Sequence, residues 1–117
     1  MKYLLLIHHV EEIDEAYRAQ LLAESVQFCH DLQARGQYID ASPLHPSSET
    51  ISVKVRDGKR LVTDGPFAET REQIGGYFMV EARDIEEAVE IAGSLPSARI
   101  GTVEVRPVRV VEGLPKV

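Results

Sequence analysis

The sequence has no tryptophan, a single cysteine (Cys29) and no long apolar run. One thiol excludes an intramolecular disulfide framework, which fits a reducing compartment. Cys29 falls inside a helical pattern, where a free thiol behaves as a small hydrophobe. No stretch of ~18 apolar residues is present to cross a bilayer as a helix. The opening MKYLLLIHHVEE imitates a leader, but Tyr3–Ile7 is shorter than the ~7–15 residues of a signal-peptide core, and His8 and His9 end it. The expectation is a cytoplasmic protein with no membrane contact.

Positive charge is scarce as well: 13 basic residues face 19 acidic ones, for a net charge of −6. Nucleic-acid binding needs Lys and Arg to neutralise phosphates, so this balance argues against it. Small anions stay within reach, because Arg56, Lys59, Arg60 and Arg71 gather in one region. Motifs of metal and cofactor chemistry are missing too. There is no Cys-x-x-Cys or His-Glu-x-x-His, and Gly75-Gly76 lacks the lysine and helix of a phosphate-cradling loop. That glycine pair reads instead as a bulge or a close backbone approach. No metal and no cofactor are expected. His8 and His9, adjacent on a strand, point to opposite faces and cannot chelate one ion.

What is present suits one domain. The chain has 117 residues, 44% of them hydrophobic, enough for a core. The domain is placed at residues 1–110, with a C-terminal tail at 111–117. Residues 2–8 read as a central strand. Tyr17, Leu21, Phe28 and Leu32 give 13–35 a helical stripe, capped by Asp14 and closed by Gly36. Residues 37–42 are weakly strand-like. Ile51–Arg56 alternates with period two, Asp57-Gly58 is a hairpin turn, and Lys59–Thr63 returns. Tyr77–Ala82 is a strand. Asp84 caps a second helix with Ile85, Ala88, Val89, Ala92 and Leu95 on its apolar face, and Pro96 stops it. Residues 102–110 form a last strand, weakened at Pro107. The order gives an α+β class, a ferredoxin-like split β-α-β with an inserted β-hairpin. Two helices cover one sheet face, so the other face predicts a homodimer.

Between two strands lies TDGPFAETRE, about twice the length of an ordinary hairpin turn. Gly65 and Pro66 stiffen it, and Phe67 is expected to anchor it by inserting beneath. Asp64 and Glu69 then stand on a rigid frame with Arg71 in reach. His45, held extended before Pro46, is the nearest candidate acid–base group. His8, on the parity of Leu4 and Leu6, is a candidate pocket residue.

The string DGPFAETRE, the downstream GGYFMVEA, the run VRDGKRLVTDGPFAE and the opening MKYLLLI together resemble the YCII-related family in its DGPF-motif branch, over roughly residues 1–110. The resemblance implies a dimeric α/β barrel of ferredoxin-like domains. It also implies small-molecule chemistry through a His/carboxylate acid–base pair, and an association with extracytoplasmic-function sigma factors. Asp64 and Glu69 match the motif carboxylates. The expected catalytic set is His45, Asp64 and Glu69, with His8, Phe67 and Arg71 binding an unknown small molecule. The reaction would be metal-free: isomerisation, elimination or hydrolysis. The alternative is a regulatory module contacting a sigma factor through an exposed Phe67.

Overall fold

The computed structural model describes residues 1–116; Val117, the last residue of the expected tail, lies outside the described residues. In chain order the elements are β1 (Lys2–His9), α1 (Glu15–Ala34), β2 (Tyr38–Pro43), β3 (Ile51–Arg56), β4 (Lys59–Asp64), β5 (Gln73–Glu81), α2 (Ile85–Ser94) and β6 (Gly101–Pro107). Short 3₁₀ turns at Ser47–Glu49 and Pro96–Arg99 complete it. Strands β2-β5-β1-β6 form one antiparallel sheet, and β3-β4 form a separate two-stranded hairpin. This is the ferredoxin-like α+β plan with an inserted arm.

Local signals set the helices. Asp14 caps α1 by accepting from the Tyr17 amide at 3.1 Å, and Asp84 caps α2 by accepting from the Glu87 amide at 2.9 Å. Gly36, with φ of 72°, supplies the left-handed residue after α1.

The sheet register then divides the side chains. Tyr3, Leu5 and Ile7 stand with Phe78, Val80, Val103 and Val105 on the helix-covered face. Leu32, Ala88, Ile91, Ala92 and Leu95 close over them. Phe28 meets Phe78 with ring centroids 6.3 Å apart. On α2 the buried stripe is therefore Ala88, Ile91, Ala92 and Leu95, whereas Ile85 and Val89 are exposed, a correction to the expected face. The opposite sheet face carries Leu4, Leu6, His8, Tyr77 and Met79 and has no helix over it. Both parities of β1 are apolar because both of its faces need covering.

The strands also run differently from expectation at their ends. β5 begins at Gln73, four residues early, because Gln73 and Ile74 still pair with His9 and His8. β6 stops at Pro107, short of the expected residue 110, although the Val108 amide still donates to the Lys2 carbonyl at 2.9 Å. Leu5 is fully buried and Val89 is exposed. Leu5→Ala is expected to lower unfolding free energy by about 2–5 kcal/mol. Val89→Ala should change it by less than about 0.5 kcal/mol, both measured by chemical denaturation.

Candidate functional site

The sheet's helix-covered face changes character at the end of β1. Tyr3, Leu5 and Ile7 are followed on the same face by His9, which has to fit an imidazole where its neighbours carry apolar groups. The neighbouring strands make the room. The β1–β5 register skips one residue between Ile7 and His8, leaving Gly75 as a bulge. A Cβ on Gly75 would stand 2.2 Å from His9 Nε2. On the other flank, a Cβ on Gly101 would stand 2.0 Å from the His8 carbonyl oxygen and 2.9 Å from His9 Cβ. Any larger residue at either glycine would displace the histidine.

His9 Nδ1 lies 2.9 Å from the Val10 carbonyl oxygen. A carbonyl only accepts, so Nδ1 carries the proton and Nε2 of the neutral ring keeps its lone pair. The ring lines a cavity of about 370 Å³ between α1 and the sheet. Its walls are mostly apolar, with Ile7, Leu21, Leu22, Val26, Phe78 and Ile100 among them. This explains why Leu22 and Val26 are half exposed on a helix face that otherwise packs inward.

Further groups, Arg18 and His45 among them, give the cavity its polarity. Ser25 donates to the Leu21 carbonyl at 2.8 Å and keeps its acceptor lone pairs. Burial pushes the Cys29 thiol up from its ordinary value of 9.0, so it stays protonated and is no thiolate nucleophile at neutral pH. At the rim, the Glu11 carboxylate accepts from the Ser47 amide at 2.7 Å and from the Ser47 hydroxyl. That clamp ties the β1–α1 loop to the segment after Pro46.

A second cavity of about 510 Å³ opens on the uncovered sheet face, beside the Gly65–Glu72 loop. His8, His45, Ser52, Phe67, Glu72 and Gln73 line it. His8 Nε2 is 2.5 Å from Glu104 Oε1, yet this buried nitrogen makes no hydrogen bond. The carboxylate oxygen lies out of line for a hydrogen bond to this ring nitrogen.

The expected site residues divide sharply. His45 lines both cavities but is 86% exposed, with Nδ1 3.3 Å from Glu49 Oε2. The expected His45–Asp64 pair is not formed. Asp64 ends β4 opposite Ile51, and the turn at Gly65 is tied back to β3 rather than toward His45. The Gly65 amide donates to the Thr50 carbonyl at 2.7 Å, and Ser52 Oγ donates to the Gly65 carbonyl at 2.7 Å. Asp64, Glu69 and Arg71 are exposed and line neither cavity; among the described residues none forms an ion pair. Phe67 is 86% exposed, not inserted beneath the loop. The loop is braced by backbone and hydroxyl hydrogen bonds, so it needs no apolar anchor. His8 does follow the parity of Leu4 and Leu6, which puts it on the uncovered face.

Residues 1–112 match the YCII-related domain. The chain belongs to the YCII-related family. It is 30% identical over 116 residues to an uncharacterized protein of Rhizobium meliloti (strain 1021), covering 92% of this chain and 91% of that protein. Its fold is similar to that of 5-chloro-2-hydroxyhydroquinone dehydrochlorinase from Burkholderia phenoliruptrix, solved with 2,5-dihydroxybenzoquinone. That likeness has a TM-score of 0.56 and 13% identity, covering 93% of this chain and 94% of the other. Among the described residues of this YCII-related chain, no helix is long and apolar enough to cross a membrane. Among the described residues, no three His, Cys, Asp or Glu side chains gather as a metal site.

The Ser47 hydrogen bonds hold the Glu11 carboxyl below its ordinary value of 4.5. A lowered folded-state pKa makes its stabilisation complete above that value and lost as pH falls through the folded one. Glu11→Gln should therefore be less stable than wild type at pH 7, with the difference shrinking below about pH 4.5. Urea denaturation as a function of pH measures it.

Proposed function

We propose that this YCII-related protein binds a small, mostly apolar molecule in the cavity under α1 and moves a proton on it, with His9 as the acid–base group. The observation that carries this reading is the imidazole at the end of an otherwise apolar row, held in one tautomer by the Val10 carbonyl and lining a cavity of about 370 Å³. Cavities of this size and lining suit small ligands oriented by a few polar groups.

The chemistry follows from the tautomer. Nε2 of neutral His9 accepts a proton from a hydroxyl or an activated C–H of the ligand. The resulting imidazolium keeps its Nδ1–H bond to the Val10 carbonyl, which stabilises the positive charge. Returning that proton to a different atom completes an isomerisation. Returning it to a departing group completes an elimination; taking the proton from a water that attacks the ligand, and giving it to the group that leaves, completes a hydrolysis. Ser25 and the Cys29 thiol sit where they can orient a hydroxyl or carbonyl. The acid–base role thus moves from His45, Asp64 and Glu69 to His9, and His45 remains at the mouth. The dehydrochlorinase of similar fold supports the class of activity, since its own ligand is a small ring bearing hydroxyl and carbonyl groups. The test is calorimetric titration with a panel of hydroxylated aromatics and quinones, followed by turnover assays. His9→Asn is expected to reduce turnover by roughly 10²–10⁴-fold, the usual scale of acid–base catalysis. Unchanged turnover in that variant would remove the reading.

A second reading is favoured by one observation, the exposure of Phe67 on a braced loop. Exposed aromatics on rigid loops are common interface anchors. On this reading the loop contacts a protein partner, with an extracytoplasmic-function sigma factor as the implied class. Phe67→Ala would then abolish co-purification with a sigma factor while leaving the cavity's ligand binding intact. The uncovered sheet face favours self-association in either case, and we propose a homodimer.

A further inference from the structure

The α1 side of the cavity is graded from charged to apolar. Arg18, Leu22, Ser25 and Cys29 follow one another at helical spacings of four, three and four, and all four line the cavity. The stripe therefore begins with a guanidinium beside the rim residue Glu11 and continues inward as a mostly apolar wall. Arg56, Lys59, Arg60 and Arg71, the bases that cluster in the sequence, line neither cavity. Among the described residues, Arg18 is the one lysine or arginine in the wall under α1.

The fold leaves most of this side chain unused. Nη2 donates to the Glu11 carbonyl oxygen at 2.6 Å, and Nε lies 3.6 Å from Oε1 of Glu15, a side chain 90% exposed. A contact that long to a solvated carboxylate holds little energy. A guanidinium has five N–H donors, so four of those on Arg18 make no hydrogen bond among the described residues. Nor is Arg18 neutralised by the other fixed charge of the wall. Glu11 turns both carboxylate oxygens to Ser47, taking its amide and its hydroxyl, and forms no ion pair with Arg18. A base in the first turn of α1 also stands against the helix dipole, so local stability does not account for it.

We infer that the molecule taken by this cavity is a small carboxylic acid, whose carboxylate sits at the mouth in the Arg18 fork while its apolar body lies beneath. This rests on the reading of the cavity as the ligand site, and it names the class of ligand. The planar fork matches a carboxylate through two parallel hydrogen bonds. A phosphate, with up to two charges, would find a single base there in a chain of net charge −6. The Arg18 side chain is 44% exposed, so a carboxylate bound to it keeps part of its hydration and loses less than it would deeper in the cavity. Anchoring one end also sets direction: the reacting hydroxyl or C–H points inward along the wall that ends in His9, whereas a neutral ring could enter either way round.

Calorimetric titration at pH 7 with ortho-, meta- and para-hydroxybenzoate and the three matching hydroxybenzamides tests this. Acid and amide share ring and hydroxyl, but only the acid is ionised. The His9 Nε2 resonance reports whether each compound enters the cavity. At least one acid is expected to bind roughly 10–100-fold more tightly than its amide, the scale of charge-assisted hydrogen bonds. Added salt should weaken the acid and leave the amide unchanged. Arg18→Gln should abolish the preference while keeping the amide's affinity, and Arg18→Lys, with the charge but not the fork, should keep part of it. Equal affinities in the wild type, or a preference that survives in R18Q, overturn the role of Arg18 and leave the cavity as the ligand site. An R18Q protein that loses acid and amide alike gives Arg18 a structural role and overturns the inference too. Six compounds that all fail to move the His9 resonance overturn both the inference and the reading on which it rests.

Discussion

Helices over only one side of a four-stranded sheet are the constraint on which the rest of this structure depends. A sheet of this kind has two faces to remove from water, and α1 and α2 serve the same one. β1, in the middle, therefore carries apolar side chains in both directions: Tyr3, Leu5 and Ile7 toward the helices, Leu4 and Leu6 away from them. On the covered side, Leu32 is fully buried and Phe28 meets Phe78, so the C-terminal end of α1 is pressed onto the sheet. Toward its N-terminal end α1 buries only Leu21 completely enough to count as core, and the space left beneath becomes the cavity. The two open features of the molecule, a cavity on one side and a bare face on the other, come from that single arrangement.

The His9 site shows how a fold of ordinary parts acquires a polar position. A row of apolar residues along β1 continues into an imidazole, and only the glycines at 75 and 101 let it stay there. The β5 bulge removes one residue from the ladder at the point where the ring needs depth. The Val10 carbonyl then sets the tautomer. A glycine, a bulge and a carbonyl are backbone features, and together they place one side chain without dedicated side-chain partners.

Much of the fold was legible because its signals are local. Asp14, Asp84 and Gly36 mark helix ends through hydrogen bonds and backbone angles that involve near neighbours, and Asp57-Gly58 marks the arm's turn. The alternation of Ile51, Val53 and Val55 placed the arm's faces correctly. The site was less legible. Both parities of Tyr3–Ile7 are apolar, so nothing in the run says which of His8 and His9 faces the helices. The available signal was the Gly75-Gly76 pair, since a glycine at a strand entry marks a close approach, but what approaches it is fixed only by the β1–β5 register. The DGPF loop shows a related dependence. Asp64, Glu69 and Arg71 have the composition of a site, while the register that turns Asp64 toward Ile51, and the Thr50 and Ser52 bonds that brace Gly65, depend on long-range pairing.

The proposed chemistry requires His9 to hold its proton on Nδ1 and to offer Nε2 to the cavity. Long-range ¹H–¹⁵N NMR of the four histidines across pH measures this directly. The expected result is a His9 with protonated Nδ1 and bare Nε2, whose Nε2 resonance moves when a small ring compound occupies the cavity, while the resonances of His30, on the exposed face of α1, stay in place. A His9 with its proton on Nε2, or one that ignores every ligand that binds, would contradict it.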